Sequence, residues 1–269
     1  MTEPASFAFR KYEHEGAYHH ALMDRDPFYA AKIHRALSLI GPGRTVVDVG
    51  CGDGVFVKYA RERGARVVGV DPREDGVRLA RCVTGATKLC VGSADALPLA
   101  SGSTDVVVMI DVVNYLPQCE SAIREVARTL RPAGILVIMS PCDVSLEDER
   151  RTTADSWQSH VWTADELSAI VGKYLRISEV AFIEKVIPAP IIDGLFRLLA
   201  SAGVAPLARR LVGASRRGRT PGGGSASTAA ASSGDIVLNT LSLPAMLVRG
   251  RERLEYVLIA RRDALVESV

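Results

Sequence analysis

The chain has 269 residues, of which 48% are apolar and 24% charged, and its formal net charge is +2. That length and apolar share suit one large α/β domain with insertions, or one domain with a small cap. The near-balanced charge gives no global field to draw in nucleic acid, so no nucleic-acid partner is expected.

The five cysteines, Cys51, Cys82, Cys90, Cys119 and Cys142, are odd in number and show no CxxC spacing. Neither a disulfide framework nor a zinc site follows from them, and no metal is expected. Reduced thiols fit a cytoplasmic protein. Met1 to Arg10 lacks the basic start and apolar run of a secretory signal.

Taken in chain order, residues 1–40 read as a helical cap. The stretch PFYAAKIHRALSLI (27–40) has helical apolar spacing, and Gly41-Pro42-Gly43 stops it. Ahead of it lie Tyr12, His14, Tyr18, His19 and His20. From Thr45 onward, Val- and Ile-rich runs alternate with helix-like stretches. The runs are 45–50, 65–71, 86–93, 104–111, 134–141 and 175–186, and strand character returns at 254–260. This alternation predicts βαβ units and a mainly parallel sheet covered on both faces. Thr163-Ala164-Asp165-Glu166 matches a capping box and predicts a helix start before the run at 175.

Residues 187–250 interrupt the alternation and read as an insertion. Within it, 191–219 is apolar with interspersed arginines, and 214–234 contains a Gly/Ser/Ala-rich loop. The apolar part reads first as a lid or a homodimer contact. Its second reading, less favoured, is an amphipathic surface resting on a membrane. The domain reading is therefore a cap over 1–40, a core over 41–186 with 251–269, and an insertion over 187–250.

The chemistry centres on VVDVGCGDG (46–54). A buried strand ends in an acidic residue and a tight glycine turn, and a helix follows. Gly50, Gly52 and Gly54 carry no side chains, so the backbone can turn sharply and come close to a ligand. The next helix aims its N-terminus at the same point. Asp71 ends the second strand, where a carboxylate can accept hydrogen bonds from both ribose hydroxyls. Asp95, in GSADALP, follows the third strand, and DVVNYLP (111–117) follows the fourth. All of these lie at carboxyl ends of parallel strands, where open α/β sheets bind ligands. The GxGxxG string of nicotinamide sites is not matched.

In this order and spacing, DVGCGDG, GVD, SADALP, DVVNYLP and LRPAGILVIMSP resemble the class I S-adenosylmethionine-dependent methyltransferases, above all the group acting on quinones, sugars and natural products. The resemblance covers about residues 30–186 and the last strand. It implies a doubly wound, mainly parallel seven-stranded sheet with an antiparallel last strand and a helical cap. It also implies S-adenosylmethionine as cofactor. The Gly50–Cys51–Gly52 backbone would cradle the methionine part, and Asp48 would hold its amino group through water. Asp71, followed by Pro72, would bind the ribose. Asp95 would contact the adenine amino group, with the Ala96 amide beside it, and Asp111 would face the methionine end and the acceptor.

Cys51 reads as a small buried filler rather than a nucleophile. His160 is the first candidate base and Asp111 the second. His14, His19, Tyr115 and His160 are candidates for touching the acceptor, a small and partly apolar molecule that takes a methyl group on a hydroxyl or amine, with carbon the less favoured site. No NPPY-like string is present, which argues against nucleobase and protein-amide targets. A non-catalytic cofactor-binding module is the alternative reading.

Overall fold

The computed structural model describes residues 16–116, 118–141, 162–188, 236–238 and 248–263. Among these residues, eight strands form one sheet: β1 (Thr45–Val49), β2 (Arg66–Asp71), β3 (Leu89–Val91), β4 (Thr104–Ile110), β5 (Leu130–Pro141), β6 (Arg176–Pro188), β7 (Ile236–Leu238) and β8 (Val248–Arg261). The order across the sheet is β3-β2-β1-β4-β5-β8-β6-β7. Every neighbouring pair is parallel except those made by β8, which runs antiparallel to β5 and β6. The expected seven-stranded sheet with its reversed last strand is therefore present. The three-residue strand β7, which the sequence does not signal, extends it at the β6 edge.

Among the described residues the helices are α1 (Tyr18–Arg25), α2 (Pro27–Ser38), α3 (Val55–Glu62), α4 (Glu74–Thr84), α5 (Cys119–Thr129) and α6 (Ala164–Val171), with a 3-10 turn over Val113–Tyr115. Side chains alternate along the central strands, and this divides the core into two layers. Val46, Val106, Val108, Val137, Met139 and Val257 point to one face and meet α2, α3 and α4. Val47, Val107, Met109, Leu136, Ile138 and Leu258 point to the other and meet α5 and α6. A sheet covered on both faces requires near-continuous apolar strands, which is what these sequences supply.

Several local signals act as their chemistry dictates. Asp26 caps α2, accepting from the Phe28 and Tyr29 amides, and Pro27 opens the helix. Thr163 and Glu166 make the reciprocal capping box of α6. Gly54, at φ 81°, caps α3; a Cβ there would lie 2.9 Å from that of Ala80, so glycine lets α3 and α4 approach closely. From the central strand β1, the chain order leads to β2 on one side and β4 on the other. The crevice beyond the carboxyl ends of β1 and β4 is the topological switch point.

Candidate cofactor and acceptor site

The loop after β1 is stitched to the end of β2. The Gly50 and Cys51 amides both donate to the Val70 carbonyl, at 2.7 and 3.1 Å, and Gly54 N–H donates to the Cys51 carbonyl. Gly50, Gly52 and Gly54 all have positive φ, at 75°, 49° and 81°. Gly52 N–H donates to Asp71 Oδ2 at 2.9 Å, and Arg73 N–H donates to Asp71 Oδ1 at 2.9 Å. The Asp71 carboxylate thereby ties the glycine loop to the turn that starts α4. Burial pushes its pKa up, and those two amides hold it back.

Asp48 is buried on β1, beside Gly69 on β2 and Val108 on β4. Burial raises its carboxyl well above the usual carboxylate range, and the neighbouring Asp71 and Asp53 push it the same way. Three carboxyls thus converge on one loop. Such a set suits a ligand that brings a cation and hydroxyl donors. The Cys51 thiol packs toward Gly69, where a Cβ would lie 2.9 Å from Sγ. Burial and the nearby Asp48 and Asp71 push the thiol far from thiolate formation, as a packing role requires.

The sequence reading missed Asp53. It is fully buried, and it receives α1: His19 N–H donates to Oδ2 at 2.8 Å, and His19 Nδ1 lies 3.2 Å from Oδ1. His20 Nε2 lies 3.1 Å from the Asp53 carbonyl oxygen. The His19 ring also stacks on Tyr29, with centroids 5.7 Å apart. His19, expected at the acceptor, therefore sits against the glycine loop.

Asp111 follows β4 in the left-handed region, at φ 57°. Its Oδ2 accepts from Lys32 Nζ of α2 at 2.5 Å, and that Nζ also lies 3.3 Å from Glu255 Oε1 on β8. Neither Lys32 nor Glu255 carried a local signal: one lies in a helix, the other in a strand, and neither belongs to a motif. The next residue, Val112, closes over the loop, so that a Cβ on Gly50 would fall 2.4 Å from its Cγ2. Asp111 is thereby placed at the β1 end of the crevice.

Among the remaining candidates, Pro72 is exposed beside Asp71. Asp95 is exposed and accepts from Ser93 Oγ, while Ala96 N–H donates to the Ser93 carbonyl at 3.2 Å. Tyr115 is half-buried in the 3-10 turn. That turn is held by Trp162, whose Nε1 donates to the Val113 carbonyl at 3.3 Å. His14 and His160 lie outside the described residues, as do 191–219 and the 214–234 loop. Among the described residues, no helix is long and apolar enough to cross a membrane.

This sheet order, glycine loop and set of strand-end carboxylates agree with the resemblance to class I S-adenosylmethionine-dependent methyltransferases that the sequence shows. Residues 47–138 match the family model described as a methyltransferase domain, and S-adenosylmethionine is the cofactor of that class. A malonyl-[acyl-carrier protein] O-methyltransferase of Serratia marcescens is 30% identical over 44% of this chain and 44% of its own length. A 2-methyl-6-phytyl-1,4-hydroquinone methyltransferase of Synechocystis is 30% identical over 51% of this chain and 45% of its own. The chain thus spans about half the length of these curated relatives. In fold, it is similar to an S-adenosylmethionine-dependent methyltransferase of Thermotoga maritima, with a TM-score of 0.57 over 95% of this chain and 100% of the other at 16% identity.

Proposed function

We propose that this chain transfers a methyl group from S-adenosylmethionine to a hydroxyl or amine of a small, partly apolar acceptor. The observation that carries this reading is the convergence of Asp48, Asp53 and Asp71 at the glycine loop that ends β1, with Asp111 following the adjacent strand β4. The residues fit the cofactor: the side-chain-free Gly50 lets the loop pack under Val112, and the carboxyls gathered at the loop match a ligand carrying an ammonium and a ribose. The names of the two relatives described above, one acting on a carrier-bound malonyl group and one on a hydroquinone, support a metabolite as acceptor.

When bound, the cofactor supplies an activated methyl carbon, and its sulfur keeps the electron pair of the bond that breaks. The chain's part is to bind and align. Asp71 would accept from the ribose hydroxyls beside Pro72, and Asp48 would hold the ammonium through water. Asp95 and Ala96 would flank the adenine. The glycine loop, fixed by the Val70 carbonyl and by Asp71, would hold the methionine end toward Asp111. Alignment of this kind supplies roughly 7–11 kcal/mol in well-oriented reactions. Asp111 would take the proton that a hydroxyl acceptor must lose, a task His160 would share or replace. Tyr115, His14 and the cap would border the acceptor.

The test is to incubate the protein with methyl-labelled cofactor and a small-molecule extract of its host, then to identify labelled products. One or more labelled metabolites, absent without protein, are expected. Tight binding of S-adenosylhomocysteine with no labelled product from any extract fraction would instead favour the non-catalytic binding module.

A further inference from the structure

The cluster of Lys32, Asp111 and Glu255 is costly as architecture. Three ionisable side chains from α2, the end of β4 and β8 meet where Lys32 is 4% and Glu255 0% exposed. Groups of this kind rarely favour stability over apolar residues of the same volume. Asp111 also holds a left-handed backbone conformation, which side chains other than glycine seldom adopt. Its side chain is nonetheless 38% exposed, although Oδ1 is buried, so one member of the cluster is reached by solvent.

The charge balance and the unpartnered oxygens together favour a proton on Glu255. Lys32 Nζ lies nearer Asp111 than Glu255, and both Glu255 oxygens and Asp111 Oδ1 are buried without a hydrogen-bond partner. Two ionised carboxylates beside one ammonium would leave a buried anion unsolvated. A proton on Glu255 removes that charge and supplies a donor for the unpartnered Asp111 Oδ1. The groups acting on Asp111 then come from three elements: Lys32 from α2, Glu255 from β8 and His19 from α1.

We infer that Lys32 and Glu255 are positioning residues that keep Asp111 ionised and turned toward the cofactor crevice, ready to accept the acceptor's proton. This rests on the methyl-transfer reading given above. As the acceptor oxygen forms its bond to the methyl carbon, its O–H proton passes to an Asp111 oxygen, and the electron pair of the broken carbon–sulfur bond stays on sulfur. Lys32 supports the carboxylate before transfer, and neutral Glu255 adds a hydrogen bond without adding charge. The electrostatics agree. Although burial opposes it, the carboxylates hold Lys32 firmly protonated. Burial likewise opposes Asp111, yet Lys32 and Glu255 keep it below the usual range. Glu255 is raised by burial and by Asp111.

The test is a carbon-13 carboxyl titration followed by nuclear magnetic resonance on the complex with S-adenosylhomocysteine, with Asp111 assigned by its Asn variant. Lys32→Met should raise the Asp111 titration by one pH unit or more, and Lys32→Arg should bring it most of the way back. Glu255→Gln, neutral for neutral, should leave that titration within a few tenths of a pH unit. Glu255→Leu, which removes the donor, should raise it. In labelled-methyl transfer to host extract, the acid limb of the Lys32→Met rate profile should move upward with the titration, while the S-adenosylhomocysteine Kd stays within twofold. An unmoved Asp111 titration in Lys32→Met overturns the proposal, as does a fall of one pH unit or more in Glu255→Gln. Should Lys32→Met not fold, the two Glu255 variants decide. If the wild type labels nothing, the methyl-transfer reading falls, and with it Asp111's proton-accepting role; the titration still decides whether Lys32 and Glu255 hold its charge.

Discussion

Gly50 and Val112 meet where β1 and β4 end: a Cβ added to Gly50 would lie 2.4 Å from Val112 Cγ2, and Gly50 sits at φ 75°. Space and backbone conformation therefore demand glycine together. Gly50→Ala should cost about 1–2 kcal/mol for the left-handed backbone and about 1–3 kcal/mol for overpacking. It should also displace Val112 and, behind it, Asp111. Calorimetry should show at least tenfold weaker S-adenosylhomocysteine binding together with a lower Tm. Unchanged affinity in a folded variant would separate the loop from the cofactor.

Asp48 sets stability against binding. Its carboxyl is raised by burial and by Asp71 and Asp53, so the folded state binds a proton that the unfolded chain releases near pH 4. The stability tied to that proton is full below the unfolded pKa and is lost as pH rises through the folded one. Asp48→Asn should therefore stabilise the ligand-free protein at neutral pH, read as a higher Tm than that of the wild type, because the amide needs no proton to stay neutral in the folded chain. The same variant should weaken S-adenosylhomocysteine, whose ammonium favours the ionised carboxyl. In the wild type, binding should release protons, measurable by calorimetry in buffers of different ionisation enthalpy. Proton release that persists in Asp48→Asn would reassign the group.

Asp53 fastens the cap. No residue of α1 is fully buried, Leu22 and Met23 pack only partly covered against the core, and the His19 amide and the two imidazoles all reach Asp53. Asp53→Ala removes the carboxylate that the His19 amide and imidazole reach, a loss of about 1.5–3 kcal/mol for a hydrogen bond to a charged group. Amide exchange across 16–25 should accelerate at least tenfold, while β1 and β4 keep their protection. Uniform acceleration across the sheet would mean that Asp53 supports the core instead of the cap.

The strands were legible because a sheet covered on both faces leaves long Val and Ile runs, and each run ended in a recognisable residue: Asp48 and Gly50, Asp71, Asp111. The capping box at Thr163 was legible because its two partners are three residues apart. What escaped was everything made by distant pairing. Lys32 occupies the apolar face of α2 with Tyr29, Ile33 and Ala36, where its charge looked like part of an ordinary amphipathic helix. Glu255 lies within a strand whose neighbours Tyr256 and Val257 are buried, and only the β5-β8-β6 order brings it beneath Asp111. His19 and Asp53, 34 residues apart, likewise meet only once α1 folds back over the loop. Strand β7 has three residues, too few to show a period.

The α6 cap reaches the crevice through tryptophan. Thr163 Oγ1 accepts from the Glu166 amide, and Glu166 reaches back to the Thr163 amide at 2.9 Å. The preceding Trp162 donates to the Val113 carbonyl, and its own carbonyl accepts from the Tyr256 hydroxyl at 3.2 Å. The helix start thus fixes the turn that carries Tyr115. Thr163→Ala should cost about 1 kcal/mol, a fall in Tm of roughly 2–4 °C for a chain of this size. Thr163→Ser should retain most of the stability, because the hydroxyl survives. The indole fluorescence of Thr163→Ala should move toward that of a more solvated ring, and Tyr256→Phe should produce the same change without altering the cap. A spectral change in the first variant but not in the second would show that Trp162 is held by α6 alone, with β8 making no contribution to the turn.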